Sequence, residues 1–177
     1  YSRLVLMEIR LACPNDISDI LKIQSANLAW NLTDQERANG FLSAEFTSKQ
    51  LDEIAKEIAL LVADDEGQVV GYLCAYSCQY AKQFTILEVM IRTFERIHYK
   101  GRSLSSYSSF IYGPVCVDLP YRGRGLLNQL YDQLQQTVSG KFEIGIAFVS
   151  QDNPYSLSAH VSGLKMVQAD TFEFKGR

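Results

Sequence analysis

The chain has 177 residues, enough for one domain with a sizeable core, and its hydrophobic (47%) and charged (21%) fractions are ordinary for a soluble globular protein. A net charge of −3 argues against a nucleic-acid binder that neutralises phosphates, so any anion site must be local. No apolar run reaches the roughly 18 residues that a membrane span requires, and no signal-peptide pattern opens the sequence. We therefore expect a cytoplasmic protein with no nucleic-acid or membrane partner.

The cysteines argue against both a disulfide framework and a metal site. They are few and scattered, at positions 13, 74, 78 and 116, and no His or Cys pair completes a zinc set. We expect reduced thiols and no bound metal. Met7 opens the patterned part of the sequence, so we interpret residues 1–6 as upstream residues and place a single domain at 7–177.

The first half of the sequence predicts a strand, two helices and a hairpin. Residues 7–12 alternate as a strand does, and residues 13–28 combine a proline and acids at a helix start with an apolar stripe. Thr47 and Gln50 form a capping box that opens the second helix. Residues 59–77 are two apolar strands around an Asp-Asp-Glu-Gly turn, which predicts a hairpin.

The second half alternates between helices and strands. The predicted elements are a helix at 84–97, a strand at 110–118, a helix at 126–138, a strand at 142–150, a short helix at 153–163 and a final strand at 166–174. The order of all predicted elements indicates one mixed α/β domain.

A glycine-rich basic turn, Arg-Gly-Arg-Gly at 122–125, joins the strand at 110–118 to the helix that follows. Free backbone N–H groups at a helix N-terminus attract anions, and glycines let an anion approach the backbone closely. The candidate contacts are Arg122, Gly123, Arg124, Gly125, Leu126 and Leu127. The turn predicts a phosphate site. The other interpretation, a glycine turn with solvated arginines, stays open, whereas one Arg/Gly copy in an acidic chain disfavours RNA binding.

This turn stands in an order of motifs that is similar to a known family. The segment VDLPYRGRGLL (117–127) resembles the loop Arg/Gln-x-x-Gly-x-Gly/Ala of the GNAT superfamily of acyl-CoA N-acyltransferases. Arg122 and Gly125 match its first and fourth positions, and Leu127 departs from the sixth. The segments IRLACPNDISDILKI, LLVADDEGQVVGYLCA and FEIGIAFVSQDNPYSLSAHVSGLKMV also follow the family's order.

The resemblance implies a mixed, mostly antiparallel central sheet, flanked by helices and splayed between its fourth and fifth strands. The pantetheine arm of acetyl-CoA, the co-substrate, would lie in the gap and pair with the fourth strand at Val115, Cys116 and Val117. The implied activity is transfer of an acetyl group to a primary amine of a small molecule or peptide by direct attack on the thioester. The alternative is a non-catalytic acyl-CoA-binding module.

The helix at 153–163 holds the candidate catalytic residue. In GNAT proteins an Asn opening this helix contacts the pantetheine, and a Tyr seven residues later commonly acts as general acid. Asn153 matches, Ser156 follows it, and His160 stands in place of the Tyr. A histidine can protonate or polarise the sulfur, or it can be purely structural. Glu45 and Glu88 are candidates for the general base, each with the alternative of a surface or capping carboxylate, and deprotonation of the amine through water also stays open.

Residues 78–110 are longer than the usual connection between the third and fourth GNAT strands, and we predict an insertion there. Arg92, Arg96 and Lys100 recur every four residues, which predicts one basic helical face. A lid or wall of the acceptor pocket, a solvated basic face and a homodimer interface all stay open. Trp30, Phe41, Phe46, Tyr107 and Tyr112 are interpreted mainly as core or rim packing.

Overall fold

A computed structural model describes residues 7–175, so the upstream assignment of residues 1–6 lies outside the described residues. The strands are β1 (Met7–Leu11), β2 (Ala59–Asp65), β3 (Gln68–Ser77), β4 (His98–Tyr99), β5 (Arg102–Ser103), β6 (Ser109–Val117) and β7 (Ile144–Ile146). The helices are α1 (Ile17–Asn27), α2 (Asp34–Arg37), α3 (Ser48–Glu57), α4 (Cys78–Ala81), α5 (Thr85–Arg92), α6 (Leu126–Val138) and α7 (Pro154–Ser158). Within this described part, no helix is long and apolar enough to cross a membrane.

The central sheet has the order β1-β2-β3-β6-β7. The first three pairs of neighbours are antiparallel, and β6 and β7 are parallel. Helices cover both faces, so the predicted mixed and mostly antiparallel sheet flanked by helices is confirmed. Strands β4 and β5 form a separate small hairpin inside the segment predicted as an insertion.

Each face of the sheet carries its own apolar cluster. On one face, α1, α3 and α5 pack over inward-facing residues of the strands, among them Tyr72, Tyr76 and Ile111. On the other face, Leu126, Leu130 and Leu134 of α6 pack over the same strands. Burial of alternate strand residues on opposite faces follows from the two-residue period of a strand.

Local sequence signals set the helix starts. Thr47 accepts a hydrogen bond from the backbone N–H of Gln50, whose side chain bonds back to the Thr47 N–H, so the predicted capping box is confirmed. The predicted first helix begins after a 3₁₀ turn at Pro14–Asp16. There Asp16 accepts hydrogen bonds from Arg10 and from the backbone of Cys13, which joins α1 to β1. The Arg10 guanidinium is the main cause that lowers the pKa of Asp16 to about 2.

The last two strands of the sheet separate after a short contact. Pairing between β6 and β7 extends from Ser109↔Ile144 to Ile111↔Ile146 only. Strand β6 continues to Val117 and stays paired with β3 on its other side. Residues 147–150 have left the sheet. The predicted splay between the fourth and fifth strands of the family order, here β6 and β7, is confirmed.

Three sequence predictions are wrong in extent or kind. The strand predicted at 142–150 is only three residues long, because the chain turns away from β6 after Ile146. Residues 166–174 form no strand, since no strand of the described chain is paired with them; Phe172 packs on Phe148 instead. The helix predicted at 84–97 ends at Arg92.

The predicted basic helical face is therefore wrong. Because α5 ends at Arg92, the residues at 92, 96 and 100 do not continue on one helix. Arg92 pairs with Glu88, Arg96 forms an ion pair with Asp170, and Lys100 lies over the ring of Tyr99. The three charged side chains therefore contact three different partners and do not form one surface.

The close packing of Phe110 on Gly145 at the β6–β7 junction predicts a steric effect of substitution. A Cβ on Gly145 would lie 2.7 Å from the Phe110 ring, which also packs against Phe142. We expect Gly145→Ala to lower the free energy of unfolding by about 1–3 kcal/mol. Gly163→Ala is the control, since its added Cβ meets no atom within 4 Å in the described part of the chain. Equal urea midpoints for the two variants would contradict this account.

Candidate functional site

The turn between β6 and α6 presents free backbone donors. Gly123 (φ 74°) and Gly125 (φ 79°) both have left-handed backbones, a conformation that glycine adopts without strain. No atom of the described residues lies within 4 Å of a Cβ built on either glycine, so the space beside the turn is open. Among the described residues, the backbone N–H groups of residues 123–128 make no hydrogen bond within the chain. The positive end of the α6 dipole adds to this arrangement.

The Arg122 side chain is engaged with the protein. Its Nε donates to Val117 O (2.8 Å), one terminal nitrogen donates to Asn27 Oδ1 (2.7 Å), and the other donates to Asn39 O. One guanidinium thus connects the end of β6, the end of α1 and the loop after α2. The Arg122 side chain therefore stabilises the turn through contacts within the protein. The backbone N–H groups of the turn are not used by these contacts and remain available to bind an anion.

Arg124 differs from its neighbour. Its side chain is exposed, and its guanidinium lies 5.0 Å from the centre of the Tyr121 ring. Leu126 is buried against the sheet and Leu127 is partly buried in the same cluster. Of the two arginines in the turn, Arg124 is the one whose charge remains exposed beside the open backbone donors.

The free edge of β6 leads from the splay to this turn. Val115, Cys116 and Val117 pair with Leu73, Tyr72 and Gly71 of β3, and no strand within residues 7–175 pairs with their other edge. The peptide bond before Pro114 is cis. Burial is the main cause that raises the pKa of the Cys116 thiol to about 12, so the thiol stays protonated. The edge therefore offers backbone groups rather than a reactive side chain.

The start of α7 faces the loop after α2. Asn153 is buried, its Oδ1 accepts from the Ser156 backbone N–H, and its Nδ2 donates to Phe41 O (2.8 Å). The ring of Tyr155 lies so close to Gly40 that a Cβ there would be 2.8 Å from it. Together with the bond from Arg122 to Asn39 O, these contacts fix residues 39–41, which we call the strap, between the glycine-rich turn and α7.

His160 lies in a π-helical turn (Ala159–Gly163) that continues α7. Only 6% of the residue is exposed. Its Nδ1 is 2.7 Å from Ser156 O and 3.4 Å from Ser156 Oγ, and its Nε2 is 3.2 Å from the hydroxyl of Tyr112. Burial lowers the pKa of His160 below 6.5 more than the bond to Ser156 raises it. Such π-turns are frequent at functional sites.

Tyr112 is the residue that sequence reasoning assigned to packing and that the structure brings to His160. It follows Ile111, the last residue of β6 paired with β7, so it lies where the splay begins. Its ring packs edge-on against His160 and against Tyr131 of α6. No local pattern in the sequence pairs positions 48 residues apart, so this contact had no sequence signal.

The candidate bases lie elsewhere. Glu45 is exposed in the loop before α3, and within residues 7–175 no hydrogen bond or ion pair joins it to His160 or to the turn. Glu88 pairs with Arg92 on α5. The structure therefore brings together the turn, the free edge of β6, Asn153, Ser156 and His160, and leaves both candidate glutamates outside this group.

The segment 78–110 builds a groove beside the start of β6. The groove has a volume of about 730 Å³, and its wall includes Cys78, Lys82, Phe94, Glu95 and Ser109. A volume of this size suits a small molecule. The tip of the segment is held by an ion pair from Arg102 to Glu143, just before β7.

Solved structures share this fold over most of their length. An aminoglycoside N-acetyltransferase, AAC(6')-Iy, in complex with CoA has a TM-score of 0.65 at 16% identity, with 98% of this chain and 96% of that chain covered. The same enzyme has been solved with a bisubstrate analogue, CoA-S-monomethyl-acetylneamine. A GNAT family N-acetyltransferase (YhbS) from Escherichia coli in complex with CoA has a TM-score of 0.51 at 20% identity, with 90% of this chain and 74% of that chain covered.

A mutant of the BH1408 protein from Bacillus halodurans has a TM-score of 0.64 at 14% identity, with 95% and 99% of the two chains covered. No protein-family model matches the sequence, and no curated protein matches it. At these identities the likeness concerns the fold. The chain has the fold of the GNAT N-acyltransferases, with their splay between the two strands that are β6 and β7 here.

The contacts of the two arginines predict effects of different size on stability. Arg122→Ala removes three hydrogen bonds from a charged, partly buried donor, and we expect it to lower the free energy of unfolding by about 2–3 kcal/mol. Arg124→Ala, its matched control in the same turn, should change this free energy by less than about 0.5 kcal/mol. Urea unfolding measures both, and a stable Arg122→Ala variant would contradict the structural contribution given to this side chain.

Proposed function

We propose that this protein is an N-acetyltransferase that transfers an acetyl group from acetyl-CoA to a primary amine by direct attack on the thioester. Residues 7–177 would form one such domain, acting in the cytoplasm, with the insertion at 78–110. The single observation that carries the proposal is the continuity between the splay, the free edge of β6 and the open donors of the glycine-rich turn.

The turn would hold the diphosphate of the coenzyme. Gly123 and Gly125 leave the backbone open to close approach, and the N–H groups of residues 123–128 have no competing acceptor among the described residues. The α6 dipole and the exposed Arg124 contribute positive potential. The net charge of the chain is negative, so an anion site would depend on this local concentration of donors and not on the overall charge.

The free edge of β6 would hold the pantetheine arm. Extended ligands add to an exposed strand edge through backbone hydrogen bonds, which need no particular side chain. Val115, Cys116 and Val117 lie between the turn and Tyr112, so a ligand anchored by its diphosphate would run along them toward the splay. Asn153 and Ser156 of α7 would border the same path from the other side.

The acceptor would be a small-molecule amine, or an amine of a peptide. The bisubstrate complex of the aminoglycoside enzyme, which joins CoA to an aminoglycoside-derived group, supports the first class. The groove beside the insertion supports a role of residues 78–110 as a wall of the acceptor pocket.

Substitution in the turn should weaken coenzyme binding specifically. Gly123→Ala places a methyl group beside the proposed diphosphate, and we expect the Kd for CoA to rise at least about tenfold by isothermal titration calorimetry. Gly140→Ala is the matched control, because its φ is also 74° and its added Cβ also meets no atom within 4 Å. The control should show similar backbone strain and unchanged affinity. Equal CoA affinities in the two variants would remove the turn from the proposed site.

The activity itself is tested by thiol release. A panel of acetyl-, propionyl- and longer acyl-CoAs, first ranked by thermal shift, is incubated with aminoglycosides, polyamines and peptides, and free CoA thiol is followed. We expect release that depends on both an acyl-CoA and an amine. Binding without any release would instead support the non-catalytic acyl-CoA-binding module.

His160 should affect turnover more than binding. We expect His160→Ala to lower kcat by about 100-fold, the scale of general acid–base catalysis, and to change the Kd for acetyl-CoA by less than about threefold. Steady-state kinetics and calorimetry on the same preparation separate the two quantities. An unchanged kcat would remove His160 from the mechanism.

A further inference from the structure

The hydrogen bonds of His160 define which of its nitrogens carries the proton. The carbonyl oxygen of Ser156 can only accept, so the Nδ1 that lies 2.7 Å from it must donate. Because burial also favours the neutral ring, Nε2 carries a lone pair and no proton. The Tyr112 hydroxyl therefore donates its hydrogen to Nε2 across 3.2 Å. In this state the imidazole is a base with no proton at Nε2 to give.

The backbone of Tyr112 lies where the splay begins, and its hydroxyl contacts the imidazole. Tyr112 is the first residue of β6 beyond the pairing with β7, at the end of the edge along which the thioester would lie. The phenolic oxygen donates to Nε2, and its lone pairs stay available to accept a hydrogen bond. Burial raises the pKa of Tyr112 above 10, so the group exchanges protons without resting as a phenolate.

We propose that Tyr112 and His160 together form the general base that removes the proton from the attacking amine, with Tyr112 as the catalytic residue that touches the nitrogen. This inference rests on the proposed acetyltransferase activity. The general base would then be this pair and not a glutamate. The proton of the amine would pass through two neutral side chains instead of moving to a carboxylate.

The relay balances its protons within one turnover. As the amine nitrogen bonds to the carbonyl carbon, one N–H proton moves to the Tyr112 oxygen while the Tyr112 proton moves to Nε2 of His160. The C–S bond then breaks, and its electron pair goes to sulfur. The imidazolium returns its proton through Tyr112 to the sulfur, which yields the CoA thiol, the amide and both side chains in their starting states.

Ser156 O completes the arrangement. When Nε2 gains a proton, the Nδ1–H already points at this carbonyl, which fixes the ring and stabilises the positive charge as an orienting group does. The titratable groups that face His160 are Tyr112 on β6 and, one ring beyond it, Tyr131 on α6. No acid in the described part of the chain forms an ion pair with His160, so the imidazolium is transient.

The first test removes the relay hydroxyl alone. Tyr112→Phe keeps the ring that packs on His160 and Tyr131, and we expect kcat to fall about 100-fold while the KM for acetyl-CoA changes less than about twofold. Tyr131→Phe is the matched control in the same aromatic cluster, with kcat within about twofold of the parent protein. The readout is thiol release from acetyl-CoA with an acceptor from the amine panel, or acetyl-CoA hydrolysis, in which water is deprotonated by the same pair.

The second test separates a base from a positioning group. His160→Gln keeps an acceptor near the place of Nε2 but cannot take a proton at neutral pH. If His160 is a base, His160→Gln should lose as much activity as His160→Ala. If His160 only positions Tyr112, glutamine should restore the activity that alanine loses. The Tyr112→Phe/His160→Gln double variant should be no slower than either single variant, because the two residues act as one unit.

The third readout is the pH profile. In the parent protein kcat/KM should fall at acid pH with a pKa below 6.5, because protonated His160 cannot accept the amine proton. This limb should be absent from His160→Gln. A profile without a limb in the parent protein, a rescued His160→Gln, or a Tyr112→Phe variant within twofold of the parent would each overturn the inference. Failure of the parent protein to bind CoA or to release thiol would instead overturn the proposed function.

Discussion

The site depends on one constraint: β6 is paired with β3 over residues 110–112 and 115–117, at both ends of a register shift, but with β7 over only three residues. A strand held firmly on one side can expose its other edge without losing its position in the sheet. Such an edge binds extended ligands through its backbone, and an unpaired edge otherwise invites aggregation. The early separation of β7 thus creates a strand edge that is both rigid and free.

The ends of this edge are defined by different kinds of structure. At one end the chain turns through Gly123 and Gly125, which have left-handed backbones, and the N–H groups at the start of α6 make no hydrogen bond within the described chain. At the other end, Tyr112 and His160 form a buried polar pair at the point of separation. The strap at 39–41 connects the two elements that flank the edge, since it bonds to Arg122 on one side and to Asn153 on the other.

The sequence predicts those features that local chemistry encodes. The capping box of Thr47 and Gln50, the hairpin at 59–77 and the glycine-rich turn each depend on residues a few positions apart. The sequence also predicts a strand at 166–174, but a strand needs a paired neighbour, which local sequence does not reveal. Contacts between distant positions had no signal, such as those from Arg122 to Asn39, 83 residues apart, and from Asn153 to Phe41, 112 residues apart.

The most direct measurement is a crystal structure of the protein grown with CoA. We expect the diphosphate on the backbone N–H groups of residues 123–128, the pantetheine along Val115–Val117, and the sulfur next to the Tyr112 hydroxyl. Coenzyme bound elsewhere on the molecule, with the edge of β6 left empty, would contradict this expectation.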